Sequence, residues 1–251
     1  MNKIFKKEEA PEVLRTKGVE LRDSLIAQAD AGNTAFCFDN KVFAHKTVKE
    51  QMMEDQHRKC AYCEQYKNGD FGCVEHYRPK GGYDLGSGAP LQQPGYYWLA
   101  YDWQNLLFSC SECNTSYKRN HFPLVNENAR DIEHRDITNE EPAIINPVTT
   151  DPGDHIEFSE FIIRPKMVDG QESIQGKTTI GVFRLNDRKD LKERRRNFWE
   201  RYQDIHKLLE ICHKTQRADG IAICQRLISE MQSEASEFCG MFKYQVKKIK
   251  D

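Results

Sequence analysis

Apolar residues recur at helical spacing near both ends of the chain and lose that rhythm in the middle. Leu14, Leu21, Leu25 and Ala29 predict a helix from Pro11 to about Ala31, with Pro11 suited to a first helical position and Gly32 to a stop. A second helix is expected from Thr47, where Thr47-Val-Lys-Glu50 has the form of a capping box; it turns Val48 and Met52 inward and delivers the chain to Cys60. Phe71 to Tyr77 and Leu106 to Phe108 read as short strands. Between them, Pro79 to Gly95 holds five of the fifteen glycines and three of the nine prolines, which makes it a loop. Cys113 opens a polar, helical segment. Short strands such as Ile156 to Ile163 come next, divided by turns at Asp151-Pro-Gly and Asp169-Gly. In the last 65 residues, Leu191, Phe198, Tyr202, Ile205, Leu209 and Cys212 mark one face of a long helix. After Asp219-Gly220 a second carries Ile223, Leu227, Met231, Ala235, Phe238, Phe242 and Val246. Together they predict a helical hairpin, read first as a packing module with a solvated, charged back.

The expected class is α+β, divided into an N-terminal helical segment (1–57), a small core (58–125), an extension of short strands and loops (126–186) and the hairpin (187–251). A chain of 251 residues allows one domain or two. With 38% apolar and 30% charged residues and a formal charge of −2, a strongly basic nucleic-acid wrapper and an acidic disordered chain are both disfavoured. Any grip on a polyanion must come from local patches or a partner. The basic N-terminus lacks the apolar stretch of a signal peptide, and the longest uncharged run, Leu85 to Tyr101, is broken by Gly and Pro. A cytoplasmic protein without a membrane span is expected.

Nine cysteines is an odd number, a chain of this size does not need disulfide staples to fold, and a cytosol keeps thiols reduced, so pairing by spacing for a metal is the better reading. Four pair by spacing: Cys60-Ala-Tyr-Cys63 and Cys110-Ser-Glu-Cys113 form two knuckles that together supply four thiolates for a tetrahedral, structural Zn²⁺. The 46 residues between them require an inserted substructure. Cys37, Cys212, Cys224 and Cys239 are singletons suited to small core positions, and Cys73 to strand packing.

Between the knuckles lies Val74-Glu75-His76-Tyr77-Arg78-Pro79-Lys80, and before the second knuckle Trp103-Gln104-Asn105-Leu106. Neighbours on a strand point to opposite faces, so one of Glu75 and His76 can hold a metal while the other reaches a water. Glu75 and Asn114 offer hard oxygens that suit Mg²⁺ or Mn²⁺. His76, with an ordinary pKa near 6.5, can take a proton from an attacking water. A Glu-His pair alone means little, since a solitary histidine is more often structural.

The order Cys-x-x-Cys, Glu-His, Asn-Leu, Cys-x-x-Cys-Asn, Lys resembles the HNH endonuclease family, whose ββα-metal motif sets two strands and a helix around one catalytic metal. That resemblance implies a ββα core at 58–125 with Glu75 and Asn114 as metal ligands, His76 as general base and Asn105 as the residue that holds the loop and orients the histidine. It also implies that Cys60, Cys63, Cys110 and Cys113 hold zinc. Glu75 stands where Asp is commoner, and Lys118 falls one residue later than the usual spacing. The segments KCAYCE, VEHYRPKGG, YYWLAYDWQNLLFSCSECN, FPL, INPVTTDPGDHIEF and TTIGVFRLN extend the resemblance, over most of residues 58–196, to PtuB-like HNH proteins. Those are effectors of Septu and retron-type anti-phage systems that act with an ATPase, PtuA. By resemblance, the implied activity is cleavage of DNA or RNA in antiviral defence with a PtuA-like partner. The alternative is a non-catalytic zinc-knuckle subunit that binds nucleic acid or a partner.

Arg78, Lys80 and Lys118 are candidate phosphate contacts. Residues 184–201 carry eight Arg or Lys against four Asp or Glu, a patch for nucleic acid or the ATPase, or a solvated helix face. His121 is a weaker candidate for the ligand role given to Asn114, and Asp151 with His155 is expected to stabilise a turn.

Overall fold

The computed structural model describes residues 1–67, 72–86 and 88–246. Pro11 opens the first helical stretch, its carbonyl accepting from the Leu14 N–H at 2.9 Å. A wide π-type turn over Leu14–Gly18 leads into α1 (Val19–Asp30), which ends as Gly32 takes φ 90°. α2 (Asn40–Phe43) is capped by the Asp39 carboxylate, which accepts from the Lys41 N–H at 2.9 Å. α3 (Lys46–Asp55) starts before the expected Thr47 capping box: His45 Nδ1 accepts from the Thr47 N–H at 3.3 Å, so the histidine is the cap. Val48 and Met52 are fully buried, as their spacing requires.

β1 (Gly72–His76) pairs antiparallel with β2 (Leu106–Cys110), setting Glu75 opposite Leu107 and His76 opposite Leu106. Phe71, expected at the start of this strand, lies outside the described residues. Gly72 is required here, because a Cβ would come within 2.0 Å of the Phe108 ring. Every residue of β2 is buried, Ser109 included, which explains the apolar run Leu106 to Phe108 that opens it. The connection returns through 3₁₀ turns at Tyr97–Leu99 and Trp103–Asn105. Directly after β2 comes a short π-type helix, Glu112–Lys118.

The extension departs from a purely strand-and-loop reading. β3 (Ile156–Ser159) and β4 (Ile162–Pro165) form a hairpin that turns at Glu160, whose φ is 59°. A two-residue ribbon, β5 (Met167–Val168) with β6 (Gln171–Glu172), precedes α4 (Ile174–Val182). That helix is hidden by its own composition, since Thr178, Thr179 and Val182 are weak helix formers. Ser173 caps it, its hydroxyl accepting from the Gly176 N–H at 3.1 Å.

α5 (Lys189–Lys214) and α6 (Ala218–Gln232) form the expected hairpin. The second helix does not run on to Val246: α6 stops at Gln232, Phe238 takes φ 54°, and a separate α7 covers Cys239–Lys243. The left-handed turn at Phe238 redirects Phe238 and Met241 into the main core.

One hydrophobic cluster runs from Met1 to Met241 and draws on every part of the chain. At its centre Tyr62, between the first two cysteines, stacks on Phe183 at the end of α4 with ring centroids 3.9 Å apart. A smaller cluster around Ile205, Cys224 and Met231 holds the hairpin together. Among the described residues no helix is long and apolar enough to cross a membrane.

Candidate functional site

The turn after α3 and the end of β2 bring Cys60, Cys63, Cys110 and Cys113 together, all buried, with their sulfurs within 4.8 Å of one another. Sulfurs bound tetrahedrally at ~2.3 Å from zinc sit about 3.8 Å apart, and Cys63 Sγ lies 3.9 Å from Cys110 Sγ. The Cys113 N–H points at Cys110 Sγ from 3.4 Å, and Arg188, entering from the start of α5, donates from Nη1 to Cys113 Sγ at 3.3 Å. A buried guanidinium offsets the negative charge that four thiolates around a divalent ion leave over. The donor set fits a structural metal such as zinc. In sequence Arg188 is one member of a basic patch, and nothing in its position announces that it faces a cysteine 75 residues away.

Where β1 ends, Glu75, His76 and Asn114 line one cleft of about 390 Å³, with Lys80, Arg119 and Leu91 along its walls. The end of β1 supplies Glu75 and His76, and the short helix behind the second knuckle supplies Asn114. His76 is buried, packed edge-on against Phe43 at 4.8 Å, with Nε2 at 2.9 Å from the Ala100 carbonyl. A carbonyl oxygen only accepts, so Nε2 carries the hydrogen and Nδ1 keeps the lone pair. Burial, reinforced by the Lys80 charge, pushes the imidazole pKa down to about 3, so the ring is neutral at physiological pH.

Burial raises the Glu75 pKa, opposed by the charges of Lys118 and Lys80. Lys118 Nζ lies 2.6 Å from Glu75 Oε1, yet that oxygen is buried without a properly directed hydrogen bond. Asn114 turns its Nδ2 toward the Val74 carbonyl at 3.4 Å, which leaves its Oδ1 as the end free to meet a cation. A carboxylate and an amide oxygen in one cleft are a donor set suited to a hard divalent ion, which would have to displace the Lys118 ammonium from Glu75 Oε1.

The candidate phosphate contacts separate sharply. Lys80 is half-buried at the cleft, its ammonium 4.8 Å from the Phe43 ring centroid. Lys118 is instead fully buried, donating to the His76 carbonyl at 3.0 Å as well as facing Glu75. Arg78 is also inside, ion-paired with Glu140, which takes a second hydrogen bond from the Tyr96 hydroxyl at 2.9 Å. Neither cation is placed to meet a ligand from solvent. Each is drawn inward by a carboxylate remote in sequence or across the hairpin, which local charge counting does not register.

Asn105 is buried and does not touch His76. Its Oδ1 accepts from the Arg78 N–H at 2.7 Å, and its Nδ2 donates to the carbonyls of Arg78 and Leu99, both at 3.0 Å. It thereby ties the end of β1 to the segment whose next carbonyl, Ala100, holds the histidine. His121 is turned away from the cleft, with Nδ1 3.0 Å from Asp84. Asp151 caps a turn through the Gly153 N–H at 2.9 Å, and His155 Nδ1 meets Ser173 Oγ at 2.9 Å, so that pair is divided between two local tasks.

These features define an α+β protein built around four buried cysteines arranged to hold a metal ion, with a polar cleft carried on the strands and helix that the cysteines join. It is 34% identical over 215 residues to the Septu protein PtuB of Bacillus mycoides (strain KBAB4), an alignment covering 81% of this chain and 68% of that protein. A second Septu protein PtuB, from Bacillus thuringiensis, is 29% identical over 149 residues, 59% of this chain and 44% of that one. The chain belongs to the PtuB family. No family model matches it.

Proposed function

We propose that this protein is a metal-dependent endonuclease of HNH type, hydrolysing phosphodiester bonds in DNA or RNA as an effector of a Septu anti-phage system, beside a PtuA-like ATPase. The observation that carries the reading is the meeting of Glu75, His76 and Asn114 in one cleft. In this reading residues 58–125 are the nuclease core, and β1, β2 and the Glu112–Lys118 helix are its ββα unit. The family relationship supports the Septu role.

His76 Nδ1 takes the proton of the attacking water, and the Ala100 carbonyl keeps the ring in the tautomer that allows it. Glu75 and Asn114 hold Mg²⁺ or Mn²⁺, which when bound stabilises charge on the phosphate and the leaving oxygen. Lys80 supplies positive charge at the cleft wall, and the zinc-bound thiolates keep the strands and helix in register. The test is incubation of the zinc-loaded full chain, alone and with a PtuA-like ATPase, with plasmid, single strands and RNA in Mg²⁺, Mn²⁺ or no added divalent ion. Divalent-dependent cleavage that His76→Ala abolishes is the expected result; no cleavage of any substrate by folded protein in either setting overturns it.

One observation favours a second reading. Lys118 already gives Glu75 a cation at 2.6 Å, as a non-catalytic zinc-knuckle binding subunit would have it. Nucleic-acid binding with no cleavage and no measurable Mn²⁺ affinity is the outcome that selects it.

A further inference from the structure

Several basic side chains of the core are neutralised from within: Arg78 by Glu140, Lys118 by Glu75, Arg130 by Glu127 and Arg188 by Glu112. Lys80, at the cleft wall, has no carboxylate partner among the described residues, and neither do two arginines. Arg119 is exposed and its side chain donates only to the Thr115 carbonyl, at 3.1 Å; Arg184 is exposed at the end of α4, and its side chain meets no carboxylate among the described residues.

Both line a second groove of about 780 Å³, between the short helix behind the knuckle and the loop containing Asp84. Arg119 belongs to the walls of both this groove and the Glu75–His76–Asn114 cleft, so the two depressions adjoin at its side chain. Its backbone is held at φ 50° and ψ −119°, and Arg184 is held at φ 46°. The groove's carboxylate, Asp84, is already engaged by His121.

We infer that Arg119 and Arg184 form a track that carries a nucleic-acid strand away from the cleft, gripping backbone phosphates on one side of the bond that is cut. This rests on the nuclease reading and extends it. Guanidinium groups on phosphates position a strand without reading bases, so the track is indifferent to sequence. With a net charge of −2, the molecule offers no general attraction to substitute for them.

The test measures the affinity of labelled single-stranded DNA, RNA and duplex over a range of salt, using the zinc-loaded full chain carrying His76→Ala to prevent cutting. Each lost phosphate contact lowers the salt slope by about 0.7 on single strands and 0.9 on duplex. The double variant Arg119→Ala/Arg184→Ala should therefore flatten the single-strand slope by about 1.4 and bind roughly 25-fold more weakly at 0.1 M salt. Lysine at both positions should preserve the slope, and Arg22→Ala, on α1, should change nothing. Unchanged affinity and slope in the double variant, while the protein with His76 intact still cleaves, overturns the track and leaves the nuclease reading standing. Absence of both binding and cleavage in the parent proteins removes both. If the double variant loses zinc or melts early, Arg184→Glu decides, because that exposed side chain supports no internal hydrogen bond; an unaltered slope there overturns the proposal.

Discussion

At the scale of single residues, neighbouring polar groups have been assigned very different work by burial. A general base contributes about 10²–10⁴-fold, so His76→Ala should lower cleavage by that range with zinc content and melting temperature unchanged. Lys118→Met leaves the Glu75 carboxylate buried without its counter-charge, which costs about 3–5 kcal/mol. On the proposed ligand assignment a divalent ion at Glu75 and Asn114 would replace that charge, so added Mn²⁺ should recover part of the lost melting temperature; no recovery would argue against the assignment. Asn105→Ala strands the Arg78 N–H and carbonyl, each worth about 1–3 kcal/mol when unsatisfied, while the Leu99 carbonyl keeps the Asp102 N–H, so denaturant unfolding should show a clear loss. Lys6 offers a pH test at a side chain that belongs to neither candidate metal site. Burial, against the pull of Asp55 and Asp102, lowers its pKa to about 7, and its ammonium donates to the Leu106 carbonyl at 2.7 Å. Between pH 7 and 10.5 the unfolded chain binds more protons at this lysine than the folded one, so its contribution to stability rises with pH across that window. Lys6→Met should flatten that rise in unfolding free energy.

At the scale of elements, two short strands and a seven-residue helix are too small to hold their geometry by themselves. The cysteine cluster joins them, and a structural zinc is worth on the order of 10–16 kcal/mol in apparent terms. Cys60→Ser or Cys113→Ser should therefore lose zinc and solubility together, and a strong chelator should unfold the wild-type chain, as followed by circular dichroism and metal analysis. The helices obey their apolar spacing where a stripe is long, as in α5, and escape it where local composition or a turn intervenes. In α4 a serine cap and packing override weak propensity; extended Ser233 ends α6, and left-handed Phe238 then redirects a stripe that spacing alone would continue to Val246.

At the scale of the whole molecule, the C-terminal hairpin is rooted in the body of the protein. Arg188 reaches Cys113, and Leu191, Phe238 and Met241 join the main cluster. Removing residues 187–251 should therefore abolish zinc retention and folding, a prediction that metal analysis of the truncated protein checks directly. The spacing of two cysteine pairs is enough by itself to mark four ligands, because a knuckle is local and each needs only its own few residues. The apolar stripe of α5 and the half-buried strands are legible for the same reason: periodicity is a property of neighbouring positions. The gathering of Glu75, His76 and Asn114 depends on β1 and a helix nearly forty residues downstream meeting across β2, which only the folded chain decides. So does the fate of the cations. Arg78 and Lys118 look, in sequence, much like Arg119 and Arg184; the first two went inside because Glu140 and Glu75 were there to receive them, and the others stayed in water because no carboxylate was. Local pattern determined which segments could become helix, strand or knuckle, and tertiary structure determined which charges were left free to act, since that rests on the free energy of desolvation and pairing between residues far apart in the chain.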